Sequence, residues 1–209
     1  MNQPSESELR ERIVFHAASL FQRGYAPGTS GNISVKLEDG ILLTPTNSCM
    51  GYLEPTELAK VDFNAVHVSG RKPSKEAILH LKVYEVRPKA MAIVHLHSTY
   101  AVAVSCLEDL DLQNAIPALT PYYVMKIGSL PVAPYHPPGD KELAEEAATL
   151  AELHAAILLA NHGPIVSAGS LDAAVYASEE LEEAAKIYLV TRNLNVRNLS
   201  QTQTNNLNI

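Results

Sequence analysis

Tryptophan is absent from these 209 residues and cysteine nearly so, with only Cys49 and Cys106. Two cysteines cannot build a disulfide framework, and their separation is not the C-x-x-C spacing of a thiolate metal or redox site, so reduced, buried thiols are expected. Positive charge is also scarce. Sixteen Lys and Arg face 23 Asp and Glu, a formal net charge of −7. That balance argues against a surface built to track a phosphate backbone, and so against nucleic-acid binding. No apolar run approaches the ~20 residues of a spanning helix. Nor does Met1-Asn2-Gln3-Pro4-Ser5-Glu6 carry a basic segment leading into an apolar core, so no membrane association is expected and the cytoplasm is the expected compartment. Internal repeats, linkers and low-complexity boundaries are missing as well, which predicts one domain over residues 1–209. What is present in quantity is apolar residue, 46% of the chain, enough to bury a large core.

The pattern of elements is that of an α/β domain with a central, mainly antiparallel sheet. Ser5 and Glu8 have capping-box spacing, and Leu9, Ile13, Ala17, Leu20 and Phe21 recur at helical intervals up to Gly24. The small-residue run Gly28-Thr29-Ser30-Gly31-Asn32 leads into a hairpin, Ile33–Lys36 and Ile41–Thr44, turning at Asp39-Gly40. Ser74 opens a helical stretch that runs to Arg87 before Pro88. Ala90–His97 reads as a buried strand, Thr99–Leu107 as helix, Pro131–Pro134 as a short edge segment, and Asp140 caps a helix to about Leu153. Ala155–Ala160 and Ile165–Ala168 read as a hairpin, and Ser170 caps a long helix ending near Asn193. The Asn- and Gln-rich tail 195–209 lacks periodicity and is expected to fray.

Three features carry chemistry. His95 and His97 stand two apart in a predicted strand, so both imidazoles project from one face and can grip one cation, with His162 at the end of another apolar strand as the best third ligand. Three neutral imidazoles leave a coordination position open, the arrangement of a catalytic rather than a structural zinc. Glu76 falls in the first turn of the helix that opens at Ser74, where the dipole favours a carboxylate. Three small-polar runs, Gly28–Asn32, Thr44–Ser48 and the turn at Ser74-Lys75, can each bind an anion through backbone N–H groups, which suggests a phosphorylated small substrate. His80 lies one helical turn past Glu76 and reads as structural; His16, His67, His136 and His154 read as surface or satisfied core residues, and Asp109 and Asp111 as solvated loop residues.

In order, Gly28-Thr29-Ser30-Gly31-Asn32-Ile33-Ser34, Leu43-Thr44-Pro45-Thr46, Pro73-Ser74-Lys75-Glu76, His95-Leu96-His97 and Asn161-His162-Gly163 resemble the class II aldolase/adducin family, over roughly Leu9 to Leu194. The resemblance implies a three-layer α/β/α subunit and a homotetramer with active sites between subunits. It also implies zinc on His95, His97 and His162, with Glu76 as the resting ligand and acid/base. Gly31, Asn32, Thr46, Ser74 and Lys75 are the implied substrate and phosphate contacts, and the proton-donor tyrosine falls near Tyr122, with Tyr123 one step away. Where fuculose phosphate aldolases carry Pro-Ser-Ser-Glu, this chain has Lys75. That form, together with Thr120-Pro121-Tyr122 and Pro138-Gly139-Asp140-Lys141, is similar to the 3-oxo-tetronate 4-phosphate decarboxylase branch. The implied reaction is loss of CO2 to give dihydroxyacetone phosphate. A sugar-phosphate aldolase or epimerase, and a non-catalytic adducin-like interaction module, are the rival expectations.

Overall fold

A computed structural model describes residues 4–207. Its framework is one eight-stranded sheet in the order β4-β3-β2-β1-β5-β8-β7-β6. The strands are β1 (Asn32–Lys36), β2 (Ile41–Leu43), β3 (Ala59–Val61), β4 (His67–Ser69), β5 (Ala92–His95), β6 (Val132–Ala133), β7 (Ala156–Leu159) and β8 (Gly163–Ala168). Every neighbouring pair is antiparallel except β6 with β7. The helices are α1 (Glu6–Gln22), α2 (Ala77–Val86), α3 (Thr99–Ser105), α4 (Pro121–Lys126), α5 (Lys141–Ala151), α6 (Leu171–Thr191) and α7 (Gln201–Asn205).

Strand alternation divides the core into layers. Ala92, Val94 and Leu96 point to the side of α1 and α6, whereas Ile93 points to the side of α2 and α5 together with Ile41, Val61, Ile157 and Ile165. A third cluster joins Ala156, Leu158 and Val166 to α3, α4 and α6. The result is helices on both faces of the sheet. His95 shares its parity with Ile93 and so faces the α2 layer, and antiparallel pairing sets it opposite Asn32. A one-residue slip would send both side chains to the wrong face, so apolar burial of the neighbours, ~1.5–3 kcal/mol per large side chain, also fixes where the histidine goes.

The helix starts follow their caps. Ser5 and Glu8 form the capping box of α1, and Thr120, Asp140 and Ser170 cap α4, α5 and α6. Three expectations need correcting. Residues 74–76 form a turn, the Ser74 hydroxyl accepting from the Glu76 N–H, and α2 starts at Ala77 with Glu76 at its cap position. The thiols are less sheltered than expected, Cys49 half-buried and Cys106 exposed. The tail, expected to lack regular structure, carries a short helix among the described residues: Ser200 and Gln203 form a capping box for α7, and Leu199 and Leu207 pack on the α3/α4/α6 cluster. Residues 208 and 209, like 1–3, lie outside the described residues. No described helix is long and apolar enough to cross a membrane.

Candidate active site

Three chain segments far apart in sequence meet at the end of β5. His95 is the last residue of that strand, which ends two residues short of the His97 expected to close it, so His97 lies in the connection to α3. His162 ends the three-residue connection Ala160-Asn161-His162 between β7 and β8, a hairpin loop whose Asn161 takes a left-handed φ of 54°. Two glycines allow the close approach. A Cβ on Gly31 would lie 2.8 Å from the His95 carbonyl oxygen, and one on Gly163 would collide with the Leu96 carbonyl oxygen. Both also have positive φ, 76° and 146°.

The three imidazoles present Nε2 to one another, His95 to His97 at 3.0 Å and His95 to His162 at 3.3 Å. The His95 tautomer is fixed from behind, because Nδ1 lies 2.9 Å from the Pro164 carbonyl and must donate to it, which leaves Nε2 a lone pair. Burial, then the neighbouring His95, lowers His97 to about 3 and His162 to about 4, so both are neutral near pH 7. Glu76 closes the group: Oε2 stands 3.5 Å from His95 Nε2, and Oε1 stands 3.4 Å from His162 Nε2. Burial alone would raise this carboxyl, but the facing His95 and His162 and the hydrogen bond from Asn32 outweigh it, and the net result is about 2.

This donor set fits a divalent cation. Three ring nitrogens lie within 4.8 Å of one another, and Glu76 Oε1 is buried with no hydrogen-bond partner. A buried, charged, unpaired oxygen is costly unless something positive meets it.

In front of the group is a cleft of about 160 Å³ lined by Gly31, Asn32, Thr46, Ser74, Lys75, Glu76, His97 and His162, with Thr29, Ser30, Pro45, Asn47 and Pro138. Eight of the ten residues singled out in sequence therefore line one cleft, and His95, fully buried, touches it through His97 and His162. Larger grooves of about 370 and 890 Å³ lie elsewhere on the surface and contain none of them. Lys75 is exposed at the rim. Tyr122 is the residue left out: it is 63% exposed on α4 and does not line the cleft of its own chain. Tyr123 is fully buried, its hydroxyl donating to the Ile116 carbonyl at 3.3 Å, and burial raises its pKa. Asn32 spends its side-chain amide on Glu76 rather than on the cleft, donating from Nδ2 to Oε2 at 2.6 Å. Behind it stands His80, fully buried and bonded to Asn32 and Ser34, a structural histidine as its spacing one helical turn past Glu76 suggests. Asp109 caps an ion pair with Arg192, and His16 meets Asp172 at 2.7 Å, neither near the site.

Comparison with known proteins agrees with this geometry. Residues 11–189 match the model of the class II aldolase and adducin N-terminal domain. The chain is 51% identical over 197 residues to the 3-oxo-tetronate 4-phosphate decarboxylase of Pectobacterium atrosepticum, covering 94% of this chain and 90% of that protein. It is 35% identical to the L-fuculose phosphate aldolase of Escherichia coli K12, covering 88% and 84% respectively. The crystal structure of YgbL from Escherichia coli superposes with a TM-score of 0.95 at 45% identity, over 98% of this chain and 99% of that one. With its matched length, shared fold and converging histidines, this chain belongs to the class II aldolase and adducin N-terminal domain family.

Proposed function

We propose that this protein is a zinc-dependent 3-oxo-tetronate 4-phosphate decarboxylase that yields CO2 and dihydroxyacetone phosphate. The observation that carries it is the buried His95, His162 and Glu76 with the half-buried His97, one Glu76 oxygen unpaired, beside a small polar cleft. Relatives between 44% and 51% identical bear that activity in their names, whereas the aldolases are more distant at 35%.

In the proposed substrate the carboxylate is β to the C3 carbonyl. Breaking the C1–C2 bond releases CO2 and leaves its electron pair as an enediolate over C2 and C3; one proton added at C2 completes dihydroxyacetone phosphate. A divalent cation on the three imidazoles supplies Lewis-acid stabilisation of the negative charge that develops on oxygen. The chain's own residues do the rest. Glu76 passes a proton from water to C2, returning to its carboxylate after each turnover. Backbone N–H groups of the Gly28–Asn32 and Thr44–Ser48 runs and the Ser74 turn hold the phosphate. Lys75 at the rim binds the phosphate or orients the departing carboxylate.

The protein functions in this reading as a single-domain cytoplasmic subunit of a homotetramer, and the exposed Tyr122, reaching a neighbouring subunit's cleft, is the alternative to Glu76 as donor of the C2 proton. The deciding assay measures CO2 release from synthetic 3-oxo-tetronate 4-phosphate beside cleavage of L-fuculose 1-phosphate, with zinc content read by mass spectrometry. CO2 release with zinc near one per chain is expected. Cleavage of the fuculose ester without CO2 release would make the protein an aldolase, and protein purified without metal and inactive on both would favour an interaction module.

A further inference from the structure

Behind Glu76 a chain of polar groups runs into the core where an apolar layer would otherwise close. Asn32 Oδ1 meets His80 Nε2 at 2.5 Å, and His80 Nδ1 meets the Ser34 hydroxyl at 2.7 Å. The Tyr84 hydroxyl lies 3.0 Å from that hydroxyl and donates to the Ser34 carbonyl at 3.1 Å. Ser34 and His80 have no exposed surface, and Asn32 and Tyr84 almost none. Burying four polar side chains is expensive unless each is satisfied in one consistent direction.

The direction follows from the carboxylate. An ionised Glu76 only accepts, so Asn32 must turn Nδ2 toward it, which turns Oδ1 toward His80. His80 must then carry its proton on Nε2 and leave Nδ1 as the acceptor for Ser34. Burial first, and the nearby His95 second, lower His80 to about 3, so the ring stays neutral and keeps one acceptor nitrogen. Reversing any link would set two donors or two acceptors face to face in the core.

We infer that this Tyr84–Ser34–His80–Asn32 chain gives the two oxygens of Glu76 separate tasks, holding Oε2 as a fixed acceptor of the Asn32 amide and leaving Oε1, which has no hydrogen-bond partner, as the oxygen that exchanges protons. His80 is the positioning residue, acting through Asn32 without touching substrate. Rotating Glu76 to present Oε2 would strand the Asn32 amide, so the reacting oxygen is the one aimed at His162. The inference rests on the reading of Glu76 as acid/base and adds which atom acts and what fixes it.

The first test needs no turnover. Nitrogen-15 NMR of the metal-stripped parent, with the His80 signals assigned against His80→Gln, should show a single ring proton on Nε2 from about pH 8 down to about pH 5.5. A proton on Nδ1, or a mixture of both tautomers, overturns the inference. The second test compares His80→Leu with His80→Gln, whose amide can still donate to Asn32. Loss of an outer-shell partner typically costs ~10–100-fold in metal affinity or activity, so kcat and zinc affinity, measured by chelator competition, should fall about tenfold or more in the leucine variant. KM should stay within about twofold, and the glutamine variant should recover to within about threefold of the parent. A leucine variant that folds and matches the parent in both kcat and zinc affinity shows the chain to be packing only. Should that variant not fold, the tautomer of the parent decides alone. Should the parent release no CO2, the proposed reaction fails, while tautomer and zinc affinity still decide this inference.

Discussion

Individual side chains at the cleft differ in what they should cost to lose. Glu76→Gln keeps the shape and the Asn32 contact but cannot carry a proton, so kcat should fall by ~10²–10⁴ while the circular dichroism spectrum is unchanged. Turnover within a few-fold of the parent would leave Glu76 a cap or ligand only. His97→Ala removes one nitrogen of the cluster, and both zinc content and turnover should drop together; full occupancy with normal activity would remove His97 from the site. Lys75 stands exposed with its Cβ 3.2 Å from where a side chain on Gly139 would begin, so the loop before α5 backs it against the cleft. Lys75→Ser should lower kcat/KM on the phosphorylated 3-oxo acid roughly tenfold to a hundredfold with zinc retained, as for a charge-assisted contact. A loss under about twofold marks a solvated rim lysine. His80 also makes stability depend on pH. The unfolded chain takes up this proton near 6.5 and the folded chain only near 3, so the unfolded state binds more protons between those values. Its contribution is full above about pH 6.5 and declines as pH falls, by up to about 1.4 kcal/mol per unit. Urea melts of metal-free protein at about pH 7.5 and about pH 5.5 should show this loss, and His80→Leu should reduce the slope.

Elements were legible where local chemistry and burial agreed. The capping box of α1, the β1–β2 and β7–β8 hairpins, the buried β5 and the Ser170 cap of α6 all follow from signals within a few residues. Strands β3 and β4 gave no such signal: each has three residues, so the alternation of buried Ala59 and Val61 about Lys60 is too short to stand out, and His67-Val68-Ser69 is exposed throughout. Helix α4 is six residues long, too short for periodicity, although Thr120 before Pro121 was a readable start. At the site, the metal-type histidines could be read because their spacing repeats the strand period, but the direction of the Asn32 amide and the burial of His80 depend on partners 44 to 48 residues away. The turn joining β7 to β8 yields a sharper prediction. Gly163→Ala sets a methyl against the Leu96 carbonyl at a positive φ, and should destabilise by on the order of 3 kcal/mol with loss of zinc. Gly128, also at positive φ but with open space around it, is the control; its alanine variant should cost only about 1 kcal/mol and keep the metal. Equal effects on zinc in both variants would show that backbone strain, not the approach to β5, is what matters.

On the scale of the whole molecule, the C-terminal tail is part of the structure. Removing residues 198–209 deletes Leu199 and Leu207 from the cluster they share with α3, α4 and α6. Both are partly buried, so the loss should be about 2 kcal/mol, which in a chain of this size lowers Tm by about 4–8 °C. An unchanged melting temperature would mean that the tail contributes nothing to the fold. The position of β5 has a different consequence. It lies between two hairpins, β1–β2 and β7–β8, each closed by a short connection, while its own pairings span 57 to 76 residues of chain. Local hairpins close early and long loops close late, so β5 should enter last, as the keystone between two preformed halves. Asn32 waits on one half and His162 on the other, and His95 rides in on the keystone. During refolding, the ability to capture zinc should therefore appear in the slowest phase, after most backbone hydrogen bonds have formed. Metal capture would then mark the moment at which the chain has finished folding.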